Sequence, residues 1–143
     1  MKTIKQLLQT KGNAVWTITP DASVFDAIKL MSDKGVGALP VVEGEKLVGI
    51  ISERDYARKV ILQGRSSRDT QIREIMTAKV YYIRAEQSIE DGMALMTDKR
   101  IRHLPVFEND HMIGIVSIGD LVREIISQQE FLIGQLENYI TGG

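Results

Sequence analysis

The 143-residue chain contains no cysteine. Disulfides, thiolate metal sites and direct thiol redox chemistry are therefore excluded, and the absence fits a reducing compartment. Histidine occurs only twice, and His111 falls in a hairpin turn. No serine has an evident histidine base with a carboxylate to orient it. Gly-x-x-x-x-Gly-Lys, Gly-x-Gly-x-x-Gly and His-Glu-x-x-His are all missing. With no chemistry to point at, the chain reads as a non-enzyme without catalytic residues or a metal site. Long apolar runs are missing too, since each ends after a few residues at a charge or turn, so no transmembrane helix is expected. The start, "MKTIKQLLQTKG", lacks the apolar stretch of a secretory signal. Neither sign of charge dominates: Lys plus Arg is 18, Asp plus Glu is 19, and the net charge is -1. No global field argues for nucleic acid or an anionic membrane, although a small local basic pocket remains open. We read an intracellular protein, most simply cytoplasmic.

What the sequence has is a repeat. Residues 15–60 align with residues 80–125 at an offset of 65 without gaps, and 17 of the 46 positions are identical. Unrelated segments would share roughly three, so the chain carries two copies of one unit. "LPVVEGEKLVGIIS" lies over "LPVFENDHMIGIVS", and "LMSDKGVGALP" over "LMTDKRIRHLP". Short preludes, "TIKQLLQ" and "QIREIMT", precede the copies.

Each copy predicts strand, helix, strand, strand, helix. Val15–Ile18 and Val80–Ile83 are β-branched or aromatic and read as short strands. Ser23 and Ser88 read as helix caps, with Asp26 and Asp91 as reciprocal capping acids. Val24, Ala27, Ile28 and Met31 form an apolar helix stripe. "ALPVV" and "LVGIIS" read as strands around the turn "EGEK", and a helix after Ser52 stops at Gly64. The polar stretch 64–71 reads as a linker. The fold class is α/β in the α+β sense. Two β-α-β-β-α copies pack about a pseudo-twofold axis, sheets inside and helices outside, because one copy alone buries too little surface. The division is 1–71, the first copy with an N-terminal helix and linker, and 72–143, the second with a C-terminal helix.

Both copies end on Ser-x-x-Asp, Ser52 with Asp55 and Ser117 with Asp120. This is either a helix N-cap with an acid in the first turn or a nucleotide site. A helix N-terminus offers N–H groups and a positive dipole end to phosphate. The serine hydroxyl can join them, and the carboxylate one turn on can accept from both hydroxyls of a ribose. Gly49 and Gly114 interrupt the preceding strands, which implies close approach either by neighbouring protein or by a ligand.

Together these segments resemble two CBS motifs forming a Bateman module, over nearly the whole chain. "SERDYARK" followed by "GRSS" is similar to the single-pair CBS proteins of plant organelles and their bacterial relatives. The resemblance implies a disc-like homodimer with adenine nucleotides in two clefts between the repeats. The first site would use Ser52 and Asp55, with Thr17, Ile18, Thr19 and Pro20 along the adenine and Ala38, Leu39 and Pro40 as the wall. The second would use Ser117 and Asp120, with Tyr82, Ile83 and Arg84 near the base and Arg102, His103, Leu104 and Pro105 opposite. Arg58 and Arg123 follow the aspartates by one helical turn and either reach a phosphate or pair with that aspartate. Arg100, Arg102 and His103 replace Gly35, Gly37 and Ala38, which points to a longer or more charged ligand in the second cleft. Arg54 in place of Gly119 adds a phosphate contact or fills the first.

The resemblance implies an adenine-nucleotide sensor for AMP, ADP, ATP or NAD(H), with AMP or NAD(H) favoured as a regulatory ligand and no catalytic cofactor. Ligand state would pass to an unidentified regulated protein. The alternative is a homodimeric scaffold with no physiological nucleotide. "DLVREIISQQEFLIGQLENYI" carries an apolar helical stripe broken at Gln128 and Gln129, suited to packing or a dimer seam.

Overall fold

Thr3 starts the first helix, α1 (Ile4–Lys11), in the computed structural model, which describes residues 2–12 and 14–141. Its hydroxyl accepts from Gln6 N–H and the Gln6 side chain takes Thr3 N–H, a reciprocal cap. Gly12, at φ 97°, ends the helix. The chain then builds two compact units, Trp16–Tyr81 and Met1–Val15 with Tyr82–Gly143.

In the first unit, α2 (Val24–Lys34) begins at Ser23 and ends at Gly35, whose φ of 65° suits a residue without Cβ. β1 (Ala38–Glu43) and β2 (Lys46–Ser52) form an antiparallel hairpin turning at Gly44. The ladder places Val41 opposite Gly49 and bulges immediately after. α3 (Glu53–Tyr56) continues through a wide π turn over Ala57–Ile61 to Gly64. Val24, Ala27, Met31, Leu39, Val41, Ile51, Val60, Ile72 and Ile75 form the core.

The second unit repeats this plan. β3 (Ile83–Arg84) lies parallel to β4 (His103–Glu108), which pairs antiparallel with β5 (His111–Ser117). α4 (Ile89–Lys99) starts at Ser88, and α5 (Ile118–Thr141) follows β5 directly. Ile4, Leu8, Ile83, Ile89, Met96, Leu104, Val116 and Leu121 are all buried.

The preludes are exchanged between the copies. Ile4 and Lys5 N–H donate to the Gln87 and Ala85 carbonyls of the second copy. Ile72 and Arg73 N–H donate to the equivalent Ala22 and Pro20 carbonyls of the first. The repeats in sequence, divided at 71/72, and the compact units in space are thus different partitions of the chain.

Three local expectations are corrected. Neither Val15–Ile18 nor Val80–Ile83 is a strand as expected: in the first only Ile18 bridges, to Val41, and in the second the pairing covers only Ile83 and runs on to Arg84. Pro20 has no N–H to extend the pairing, whereas Ala85, its counterpart, donates to the Phe107 carbonyl, and β3 reaches two residues. The reciprocal cap forms at Ser88 and Asp91, while at Ser23 only the hydroxyl accepts, from Asp26 N–H. The stretch 64–71 is not a free tether. Ser67 and Thr70 carbonyls accept from Phe25 and Val24 N–H, Thr70 is buried, and the Arg68 guanidinium stacks 3.9 Å from the centre of the Phe25 ring.

Candidate functional site

Each Ser-x-x-Asp sits where a strand runs straight into a helix, so both of the cap readings are realised in the backbone. Ser52 N–H donates to Asp55 Oδ2 at 3.0 Å and Asp55 N–H donates to Ser52 Oγ at 3.2 Å. Ser117 N–H donates to Asp120 Oδ2 at 2.8 Å and Asp120 N–H to Ser117 Oγ at 3.1 Å. The next N–H groups, of Glu53 and Ile118, go to the carbonyls of Gly37 and Arg102. Much of the donor capacity at each helix start is therefore already taken, and an anion there would depend on side-chain cations.

A lysine holds each aspartate, and the two lysines come from different places. Lys59, one turn after Asp55, lies 3.3 Å from Asp55 Oδ1 and donates to the Ile75 carbonyl at 2.9 Å. In the second copy that helix position is Glu124, which pairs with Lys2 instead. Lys11, the last residue of α1, fills the role: its Nζ is 2.7 Å from Asp120 Oδ2 and 2.6 Å from the Ile115 carbonyl. Arg123 adds a bond to Asp120 Oδ1 at 2.7 Å. Arg58 is exposed and does not pair with Asp55.

Gly119 explains the difference. A Cβ at Gly119 would lie 3.3 Å from Arg123 Nη1 and 3.6 Å from Ser117 Oγ. The guanidinium thus lies across the bare backbone of Gly119. The first copy has Arg54, exposed, at that position.

Asp120 is only 7% exposed. Burial alone would push its carboxyl up, but Lys11 and the Ser117 backbone and hydroxyl outweigh it and hold it below the usual carboxylate range. His103, opposite Ser117 across β4 and β5, is held below its ordinary value. Burial is the main cause, Lys11 and Arg102 add to it, and Asp120 opposes it.

Around these clusters the expected residues divide. Thr17 and Thr19 are exposed, Ile18 is half-buried, and Pro20, Ala38 and Pro40 are buried. Leu39, Ile83 and Leu104 are fully buried in the cores, and Pro105 is buried beside Leu104. Arg102 is exposed next to His103. Arg100 caps α4 at φ 55°, the place Gly35 holds in the first copy. Arg84 lies alongside Phe107, four residues along β4 from His103, which is about 13 Å away. With Tyr82, packed edge-on against Phe107 at 5.3 Å, it lines a separate cavity of about 630 Å³ at the hairpin tip.

Gly49 and Gly114 are accounted for by the protein itself. A Cβ at Gly49 would lie 2.6 Å from Met76 Sδ and 3.1 Å from the Thr77 carbonyl oxygen. At Gly114 it would lie 2.9 Å from both methyls of Leu8. The exchanged preludes occupy the space in front of both glycines. Sequence reasoning missed both lysines. Lys59 had a signal, four residues after Asp55, whereas Lys11 is remote in sequence from Asp120.

A model of the CBS domain matches residues 5–61 and 72–127. The mitochondrial CBS domain-containing protein CBSX3 of Arabidopsis thaliana is 44% identical over 151 residues, covering 99% of this chain and 73% of that protein. A protein of solved structure with CBS domains from Burkholderia ambifaria MC40-6 is 52% identical at a TM-score of 0.86, covering 90% of this chain and 96% of that one. The CBS domain pair of protein MJ0100, solved with 5′-methylthioadenosine and S-adenosyl-L-methionine, is 26% identical at a TM-score of 0.76, covering 90% and 98%.

Proposed function

The chain belongs to the CBS-domain family, with two repeats, and on that premise we propose that it is a non-catalytic sensor of adenine nucleotides that passes ligand state to a partner protein. The observation that carries this reading is the duplicated Ser-x-x-Asp at a strand-to-helix junction, each aspartate within reach of a cation. Aspartate accepts the ribose hydroxyls, and serine with the neighbouring cations takes the phosphate. The adenosine-containing ligands of the MJ0100 pair support the ligand class. AMP or NAD(H) is the favoured ligand, because the Lys11 and Arg123 side chains at Asp120, with Arg102 next to His103, suit phosphate.

The module acts as a homodimer. Support comes from α5, where Ile126, Leu132, Ile133, Leu136, Tyr139 and Ile140 are exposed on one helix. The compartment is the cytoplasm on this reading, and no described helix is long and apolar enough to cross a membrane. A thermal-shift panel of AMP, ADP, ATP, NAD(H), S-adenosylmethionine and adenosine tests the ligand class. Saturation at about 100 times the dissociation constant stabilises by about 2.7 kcal/mol, a readily measured shift. A panel without any shift leaves the dimeric scaffold as the better account.

A further inference from the structure

Asp120 is more heavily engaged than a free ribose acceptor would be. A carboxylate offers about four acceptor positions. Ser117 N–H, Lys11 and Arg123 take three, and the Ser117 hydroxyl bonds the carboxylate as well. A ribose diol brings two donors, so the Ser117 hydroxyl must turn away and one further resident donor must leave. The Ser117 N–H is backbone and fixed. Lys11 is held a second time by the Ile115 carbonyl, and its side chain is only 33% exposed. The Arg123 side chain is 73% exposed, and among the described residues Asp120 is its only hydrogen-bond or ion-pair partner. Of the two cations on Asp120, Arg123 is thus the one that can swing into solvent without breaking a second bond.

Arg123 also has somewhere to go. Its guanidinium lies over Gly119, where a Cβ would also be 3.6 Å from the Ser117 hydroxyl, the group assigned to the ligand phosphate. Guanidinium donors match phosphate oxygens in pairs. Taking the second site as an adenine-nucleotide site, we propose that Arg123 is its specificity-determining residue. It gives up Asp120 to the ribose hydroxyls and takes the phosphate of the same ligand.

The exchange makes diol and phosphate interdependent. A nucleoside takes Asp120 but leaves Arg123 without an anion. A phosphate without a diol competes with a carboxylate that Arg123 already holds. Only a ligand carrying both on one ribose satisfies every group. The first site lacks the device, because Arg54 stands where Gly119 gives room and Arg58 does not pair with Asp55.

The test is calorimetry with adenosine and AMP in an Asp55→Asn background, which leaves the second site to titrate, with and without Arg123→Ala. Arg123→Ala should bind adenosine more tightly, because its competitor is gone, and AMP more weakly. The preference for AMP over adenosine then falls by about tenfold or more. Gly119→Ala, which keeps the arginine but displaces it, should shift the preference in the same direction by less. Proportional weakening of both ligands by Arg123→Ala would reduce Arg123 to a support of the fold and overturn the proposal, as would no change in either. If the Asp55→Asn protein binds neither ligand and Arg123→Ala does not restore binding, the nucleotide reading of this site fails and takes the proposal with it. If it binds AMP and the preference is unmoved, the proposal fails alone.

Discussion

Asp55 and Asp120 share a backbone frame and differ in what surrounds the carboxylate. Asp55 meets one lysine at 3.3 Å, while Asp120 lies between Lys11 and Arg123 at 2.7 Å each. The spacing Ser-x-x-Asp was legible, since a cap and a nucleotide site ask for the same residues. The partners were legible only where they are local. Arg123, one turn after Asp120, was a candidate, whereas Lys11 reaches Asp120 through folding of α1 onto the second copy and no sequence spacing announces it. The cluster makes the protein acid-sensitive in two steps. Burial, aided by Lys11 and Arg102, holds His103 below its ordinary 6.5 in the folded chain. The unfolded chain therefore takes that proton first, and stability falls as pH drops from 6.5 towards the folded value. Asp120 is held below its ordinary 3.8, so its contribution is present above that pH and lost as pH falls through the folded value. Urea midpoints followed from neutral to acid pH should decline in both ranges. His103→Asn should remove the upper decline and leave the lower. An upper decline that persists in His103→Asn would assign it to another group.

The elements themselves were readable because their boundaries carry residues with one task each: Ser23 and Ser88 start helices, Gly35 ends one, and Gly44 turns a hairpin. The strands expected at Val15–Ile18 and Val80–Ile83 shrank to pairing at Ile18 and at Ile83–Arg84, and the missing N–H of Pro20 accounts for the shorter reach of the first. The exchange of preludes was not readable, since "TIKQLLQ" and "QIREIMT" each suit either copy. Its energetic signature is at Gly114, where a Cβ meets both methyls of Leu8 at 2.9 Å. Gly114→Ala should overpack this contact and cost about 1–3 kcal/mol in urea unfolding. In a Leu8→Ala background the same substitution should cost little, because the methyls are gone, giving a coupling of at least about 0.5 kcal/mol. Equal costs in the two backgrounds would mean that α1 does not pack on β5 in solution.

At the scale of the molecule, α5 runs for 24 residues, about 36 Å, and it exposes seven large apolar side chains from Ile126 to Ile140. The stripe was visible in the sequence at helical spacing, but its partner was not. Light scattering at micromolar concentration should give a dimer mass, and Ile133→Asp with Leu136→Asp should lower it towards the monomer. A monomer mass for the unaltered protein would remove the dimer from the account. Ligand binding remains the central claim, and calorimetry of AMP with the unaltered protein, Asp55→Asn, Asp120→Asn and the double variant tests it most directly. We expect saturable binding, with each single substitution weakening its own site by roughly ten- to a hundredfold through loss of charge-assisted bonds to the ribose. The double variant should then show little binding in the range where the unaltered protein saturates. AMP binding of equal strength in all four proteins would make both Ser-x-x-Asp pairs helix caps alone.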